Sequence, residues 1–388
     1  MVKTGLDRIS ANWPKALSDA RIGLVCHPAS VNARYQHASD VFLRFKQARL
    51  SAFFGPQHGI RGETQANMIE WEGSRDKVTG LPVYSLYGQH RKPTSSMLEG
   101  LDALVLDLFD VGARYYTYIW TLYLCMEACV ESGKPLVVLD RPNPIGGEAV
   151  EGPVLDPAFA SFVGLKPLAI RHGMTIGEIA RYFKGEFLPA AELHIVKCVG
   201  WKRGDDYSRS GLPFVNPSPN IPNLESAYVY PGLCLLEGTN VSEGRGTTRP
   251  FELFGTPFTD PEKLVRCLDS FKLPGVRFRP AFFMPTFDKF KGEICGGAQI
   301  HVLNKKRFKP FLTGAAILKA YLDLYPSTFQ WHPGPYEYEH KLKPIDILFG
   351  SDRFRILLEN NVTLKVFEGS YAEERKEFMK MRKKYLIY

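Results

Sequence analysis

The residues able to do chemistry in this chain gather in a few short stretches. The first is Gly55-Pro56-Gln57-His58-Gly59-Ile60-Arg61-Gly62-Glu63, which sets an amide, an imidazole, a guanidinium and a carboxylate side by side, with Glu70 following in the same loop. The second runs from Asp107 through Asp110 and Arg114 to Tyr115, Tyr116 and Tyr118. The third is Asp140-Arg141-Pro142-Asn143-Pro144, and the fourth is the long run 237–250, with Asn240, Glu243, Arg245 and Arg249 among small polar residues. Carboxylates beside phenols and arginines suit a hydrolase that moves protons through carboxyl groups and recognises a polar ligand. Tyrosine rings can stack on sugar faces while their hydroxyls bond sugar oxygens. Each residue also has an ordinary reading. His58 suits a loop histidine bonded to backbone, Asp107 and Asp140 suit turn caps, Tyr116 suits a core, and Arg141 and Asn143 precede prolines that fix an extended loop.

The elements that must position these residues are legible from periodicity. Short β-rich runs at Arg21–Cys26, Leu50–Phe54, Pro82–Tyr87, Ala103–Phe109 and Pro135–Asp140 alternate with helix-like stretches at Asp40–Gln47, Ser95–Gly100 and Thr117–Ser132. This is the pattern of successive β/α units in a doubly wound parallel sheet. Ligands bind such sheets beyond the carboxyl ends of the strands. Those ends lead into His27–Pro28, the Gln57 stretch, Tyr87–Gly88, the Asp107–Tyr118 stretch and Asp140–Asn143, so topology points the chemistry at one edge. The Gly- and Pro-rich loop 141–159 is a domain junction, giving an expected α/β division into residues 1–160 and 161–388. In the second unit Thr175 and Glu178 form a capping box opening a helix. Leu193–Val199 and Ala298–Leu303 read as strands, Pro213–Pro222 as an irregular extended segment, and Gly314–Tyr325 and Ala372–Tyr385 as helices.

Composition removes several classes. With 388 residues, two domains are expected. The longest apolar runs fall far short of the roughly 20 residues of a membrane helix. The N-terminus shows no signal-peptide h-region, so a cytoplasmic location is expected. Seven cysteines without a C-x-x-C pair suit buried thiols better than disulfides or zinc. The net charge of +8 favours anionic partners. No nucleic-acid motif accompanies it, and the basic C-terminal stretch suits the last turn of a helix. The strand endings carry no G-x-G-x-x-G, no P-loop, no H-E-x-x-H and no G-x-S-x-G. No metal or organic cofactor is implied.

The blocks FGPQHGIRGE, LPVYSLYG, DVGARYYTY, DRPNPIGG, RHGMTIGEIA, NPSPNIPNLESAYVYPG, EGTNVSEGRGTTRPFE and KGEICGGAQIHV occur in that order along the chain. Together they resemble the exo-β-N-acetylmuramidase family across nearly its whole length. The resemblance implies a Rossmann-like N-terminal domain with the active site, a C-terminal auxiliary domain, and release of terminal N-acetylmuramic acid from peptidoglycan fragments. It implies a catalytic set around Gln57, His58, Tyr87 and Asp110. It also implies a substrate-binding set of Arg61, Glu63, Asp107, Tyr115, Tyr116, Asp140, Arg141, Asn143, Asn220, Asn240, Glu243, Arg245 and Arg249. The sugar's lactyl carboxylate calls for an Arg fork, for which Arg61, Arg141, Arg245 and Arg249 are candidates.

Where many members carry Glu in a P-E-H-G block, this chain has Gln57, and an amide cannot transfer the catalytic proton. Three resolutions follow. Glu63 or, preferably, Glu70 takes the proton-transfer role. Alternatively the substrate assists, with Asp107 or Asp110 as partner and Tyr87 or Tyr116 polarising the site. In the third, the protein binds a muropeptide without cleaving it, or serves another glycan.

Overall fold

The computed structural model describes residues 1–62, 64–65 and 68–388; Glu63, named above, lies outside the described residues. Among the described residues of the first half there are nine strands: β1 Ala20–Cys26, β2 Ala48–Gly55, β3 Ser74–Arg75, β4 Pro82–Ser85, β5 Ala103–Asp107, β6 Leu136–Leu139, β7 Glu151–Val154, β8 Ala169–Arg171 and β9 Leu193–Val196. Seven of them form one sheet in the order β3-β4-β2-β1-β5-β6-β9. All pairings are parallel except that of β3 with β4. The order reverses on either side of β1, as a doubly wound fold requires.

Because β5 alternates faces with period two, it feeds two cores. Leu104 and Leu106 point into a large core shared with the helices Tyr118–Glu131 and Ile176–Glu186, whereas Ala103 and Val105 join a smaller one with Leu6, Ile9 and Phe42. The helix Tyr118–Glu131 is apolar nearly all round because it is buried against both the sheet and the rest of the chain. The strand at Leu193, assigned above to the second unit, pairs with β6 and closes the sheet instead.

The second half adds β10 Leu253–Thr256, β11 Val276–Phe283 and β12 Cys295–Val302, an antiparallel sheet in the order β10-β12-β11. The helix Leu224–Leu233, which follows directly on the extended Pro213–Pro222 segment, is capped by Asn223 and packs on helix Pro310–Leu324. Their backbones nearly touch: a Cβ on Gly232 would come within 1.9 Å of the Pro310 carbonyl oxygen. The large core runs continuously from the first sheet into these helices. The C-terminal Tyr388 returns to the first sheet, donating its hydroxyl to Asp140 at 2.7 Å. No helix among the described residues is long and apolar enough to cross a membrane.

Candidate functional site

The sequence ending β2 turns sharply at Pro56, and His58 adopts a left-handed φ of 70° just after Gln57. That geometry brings Gln57 into the interior. Its Oε1 accepts from the Thr117 hydroxyl at 2.7 Å, which fixes which way the amide faces. Its Nε2 therefore points towards Tyr87, two residues past β4, at 3.2 Å from the phenolic oxygen. Gln57 faces a small polar cavity of about 30 Å³. Its walls come from the ends of β2 and β5, from the segment Ser218–Ile221, from the 237–251 loop and from Tyr336 and Glu337. The Ser218–Ile221 wall is anchored to the first sheet through the Pro217 carbonyl, which accepts from the Tyr118 hydroxyl at 2.7 Å and bonds His27 Nδ1 at 3.0 Å.

Glu337 is the carboxyl group at the centre of this arrangement. Tyr87 donates to its Oε2 at 2.7 Å, and the Gln57 amide lies 3.5 Å from its Oε1. It sits on a tight turn in which Tyr336 and Glu339 exchange backbone hydrogen bonds at 2.9 and 3.0 Å. The two central residues have φ of 45° at Glu337 and 67° at Tyr338, a conformation that ordinary L-residues rarely take. Such strain persists where surroundings over-determine it. Here Tyr336 donates to Glu237 at 2.6 Å, the Glu337 amide donates to the Met68 sulfur at 3.3 Å, and the Tyr338 hydroxyl donates to the Met68 carbonyl at 3.1 Å. The Arg91 guanidinium lies over the Tyr338 ring at 4.0 Å. Burial raises the Glu337 pKa to about 7; the Tyr87 hydrogen bond opposes this and the nearby Glu237 adds to it. The carboxyl is thus a proton donor and acceptor near neutrality.

His58 borders the same cavity. Its Nδ1 lies 2.7 Å from the Thr64 carbonyl, so that nitrogen carries the proton. Burial lowers its pKa to about 4, against the Thr64 contact and with a smaller push from Arg245, so the ring is neutral. Tyr115, Tyr116, Asn220 and Arg245 also line the cavity. The Tyr115 hydroxyl donates to the Pro231 carbonyl. The Tyr116 hydroxyl is buried at the cavity wall beside Ser218 and Tyr118. Asn220 exchanges hydrogen bonds with Gln65, at 2.8 Å to its carbonyl and 3.3 Å from its side chain. Arg245 is buried between Glu237 at 2.8 Å and Glu243 at 3.1 Å, its guanidinium over Phe251 at 5.0 Å.

Other expected site residues serve the scaffold. Glu70 is exposed and paired with Arg91 at 3.0 Å, outside the cavity, so solvation and its own ion pair remove it from proton transfer there. Arg61 is half exposed and pairs with Asp76, neither of them lining the cavity. Asp107 and Arg141 form a fully buried two-point salt bridge, at 2.5 and 2.7 Å, that clamps the ends of β5 and β6. Asp140 accepts from Thr175, the Gly177 amide and Tyr388, and so seats the helix Ile176–Glu186 and the C-terminus. Asn143 holds the Met174 carbonyl at 2.9 Å. Asp110 caps the Gly112 amide at 2.8 Å and faces His172 at 3.2 Å. Asn240 ties the loop to Thr328 and Gln330, Glu243 pairs with Lys289 at 3.0 Å, and the half-exposed Arg249 pairs with Glu252 at 2.8 Å. Of the four candidate arginines, Arg141 and Arg245 are buried in ion pairs with Asp107 and with Glu237 and Glu243, while Arg61 and Arg249 are half exposed and each paired with one carboxylate.

The residues that sequence reasoning missed are Glu337, Tyr336 and Thr117, and Glu237 was seen only as part of a long loop. A signal was present: Tyr336-Glu337-Tyr338-Glu339 alternates phenols with carboxylates directly after a Pro-Gly-Pro turn.

A carboxyl near neutrality, enclosed by phenols and an amide at the carboxyl edge of a parallel sheet, defines a carboxyl-dependent site of the kind that works on glycosidic bonds. The chain belongs to the exo-β-N-acetylmuramidase NamZ family: the model of the family's N-terminal part matches residues 22–225 and that of its C-terminal part residues 228–388. It is 46% identical over 387 residues to the peptidoglycan β-N-acetylmuramidase NamZ of Bacillus subtilis strain 168, covering 100% of this chain and 91% of that one. Crystal structures of two DUF1343 family proteins from Bacteroides fragilis share the fold over 100% of this chain and 99% of theirs. One has a TM-score of 0.90 at 34% identity, the other 0.79 at 29%.

Proposed function

We propose that this protein is an exo-acting glycosidase that hydrolyses the bond of non-reducing terminal β-N-acetylmuramic acid in peptidoglycan fragments, in cell-wall turnover or salvage. The observation that carries this is 46% identity, across the entire chain, to a peptidoglycan β-N-acetylmuramidase. The tyrosine-walled cavity with its carboxyl at Glu337 supports it. The seven unpaired cysteines support action in the reducing cytoplasm.

The test is hydrolysis of a chromogenic β-N-acetylmuramide beside the corresponding β-N-acetylglucosaminide. Cleavage of the muramide with the glucosaminide spared is expected, and the reverse preference would overturn the substrate assignment. A second reading is favoured by Gln57 itself, whose amide stands where the family resemblance implies a carboxylate and cannot transfer a proton. In that reading the protein only captures muropeptides, and tight binding of the muramide without turnover is its signature.

A further inference from the structure

We propose that Glu337 is the proton donor to the leaving sugar oxygen, performing from a different part of the chain the task that the amide of Gln57 cannot perform. The inference rests on the glycosidase reading above. Two carboxyl groups line the cavity among the described residues, Glu237 and Glu337. Glu237 divides its oxygens between the Arg245 guanidinium at 2.8 Å and the Tyr336 hydroxyl at 2.6 Å. Among the described residues no cation forms an ion pair with Glu337, although Arg91 lies near: its side-chain hydrogen bonds are with the Tyr87 hydroxyl and the Gln57 amide. It is 4% exposed, at the meeting point of the β2 end, the β4 end and the turn that carries it.

Gln57 then has a definite positioning role. Thr117 holds its carbonyl oxygen, so its NH₂ is turned to Tyr87 and Glu337. A glutamate at position 57 would place a second carboxyl against Glu337, where two carboxyls compete for one proton. The amide removes that competition and leaves a single titrating carboxyl in contact with Tyr87. The groups facing Glu337 are Tyr87 and Arg91 from the first half, Glu237 from the loop, and Tyr336 and Tyr338 on its own turn. Burial lifts its titration to about 7, so acid and conjugate base are both populated under ordinary conditions.

The step balances simply. The C1–O bond breaks with its electron pair going to the leaving oxygen, which takes the Glu337 proton and departs as an alcohol. A water adds at C1, and the proton it gives up restores the carboxyl or passes to solvent. One water is consumed and no oxidant or reductant is needed.

The experiment compares the parent with Glu337→Gln and Glu337→Asp on two β-N-acetylmuramides, one with a sugar or alkyl leaving group and one with a dinitrophenyl leaving group that departs without protonation. For Glu337→Gln we expect kcat to fall by about 10²–10⁴ on the poor leaving group. On the dinitrophenyl substrate the loss should be less than about tenfold, with KM held. The alkaline limb of the parent's pH profile, near 7, should vanish in the variant, and Glu337→Asp should keep part of the rate and retain a limb. A merely structural Glu337 would lower both substrates alike and tolerate the isosteric Gln better than the shorter Asp. An active parent whose Glu337→Gln variant keeps its rate and pH profile overturns the assignment of Glu337 and leaves the glycosidase reading standing. A parent that cleaves neither muramide overturns both.

Discussion

Replacing Glu337 by Gln should make the folded protein less sensitive to alkali. In the native state the carboxyl titrates at about 7 against an ordinary value of 4.5. Between those values the folded chain holds a proton that the unfolded chain has released, so stability falls as pH rises through this window and the loss is complete above the folded pKa. Each unit of displacement corresponds to about 1.4 kcal/mol, so about 2.5 units correspond to about 3 kcal/mol of pH-dependent destabilisation in the parent. Most of it should develop between about pH 5 and about pH 8. The isosteric amide keeps the volume and can accept from Tyr87, but does not titrate. Denaturant unfolding of parent and variant at both pH values gives a double difference, in which other titrating groups, Asp140 and His58 among them, cancel. The variant should gain about 2 to 3 kcal/mol on the parent as pH rises. A double difference within about 0.5 kcal/mol of zero would refute the view that burial holds this carboxyl protonated, and a change of opposite sign would mean that the native state prefers it ionised.

Gln57→Glu should push the titration of the pair apart, moving the alkaline limb of hydrolysis upward by about one pH unit or more, because a like charge then faces Glu337; pH–rate profiles check this. Glu70→Gln, which touches only the exposed Arg91 pair, should keep most of the parent's kcat on a chromogenic muramide and cost less than about 1 kcal/mol of stability by denaturant unfolding. Asp107→Ala should strand the Arg141 charge in the interior. It should destabilise the fold by about 3–5 kcal/mol, read by the same unfolding assay.

Which parts of this design could be read from sequence follows from the physics of each element. The strands β1, β2, β5 and β6 are short, two-sided apolar runs ending in turn residues, and a buried parallel strand cannot look otherwise. The helix Tyr118–Glu131 and the Thr175–Glu178 capping box were equally visible, because spacing and cap chemistry are local. Helix Leu224–Leu233 was not. It is buried on every side and contains Pro231, so neither an apolar stripe nor the absence of proline announced it. At the site, Gln57, His58, Tyr87, Tyr115 and Tyr116 lie at strand ends and were found from topology. Asp107, Asp140 and Arg141 lie at strand ends too, but their charges are spent on one another and on helix and chain termini, which no spacing rule can tell from catalysis. Glu337 reaches Gln57 from 280 positions away. Only its local pattern of phenols and acids marked it, and nothing local said where the turn would land.

The two acidic walls of the cavity are held in different ways. Arg245 is buried between Glu237 and Glu243, an ion-pair network costly to break. The turn of Glu337 rests instead on a thioether, one backbone carbonyl, a few side-chain hydrogen bonds and a guanidinium stacked on Tyr338, and it holds left-handed backbone at two successive residues. Since burial is what raises the Glu337 pKa, the packing of this turn is what keeps the carboxyl protonated near neutrality.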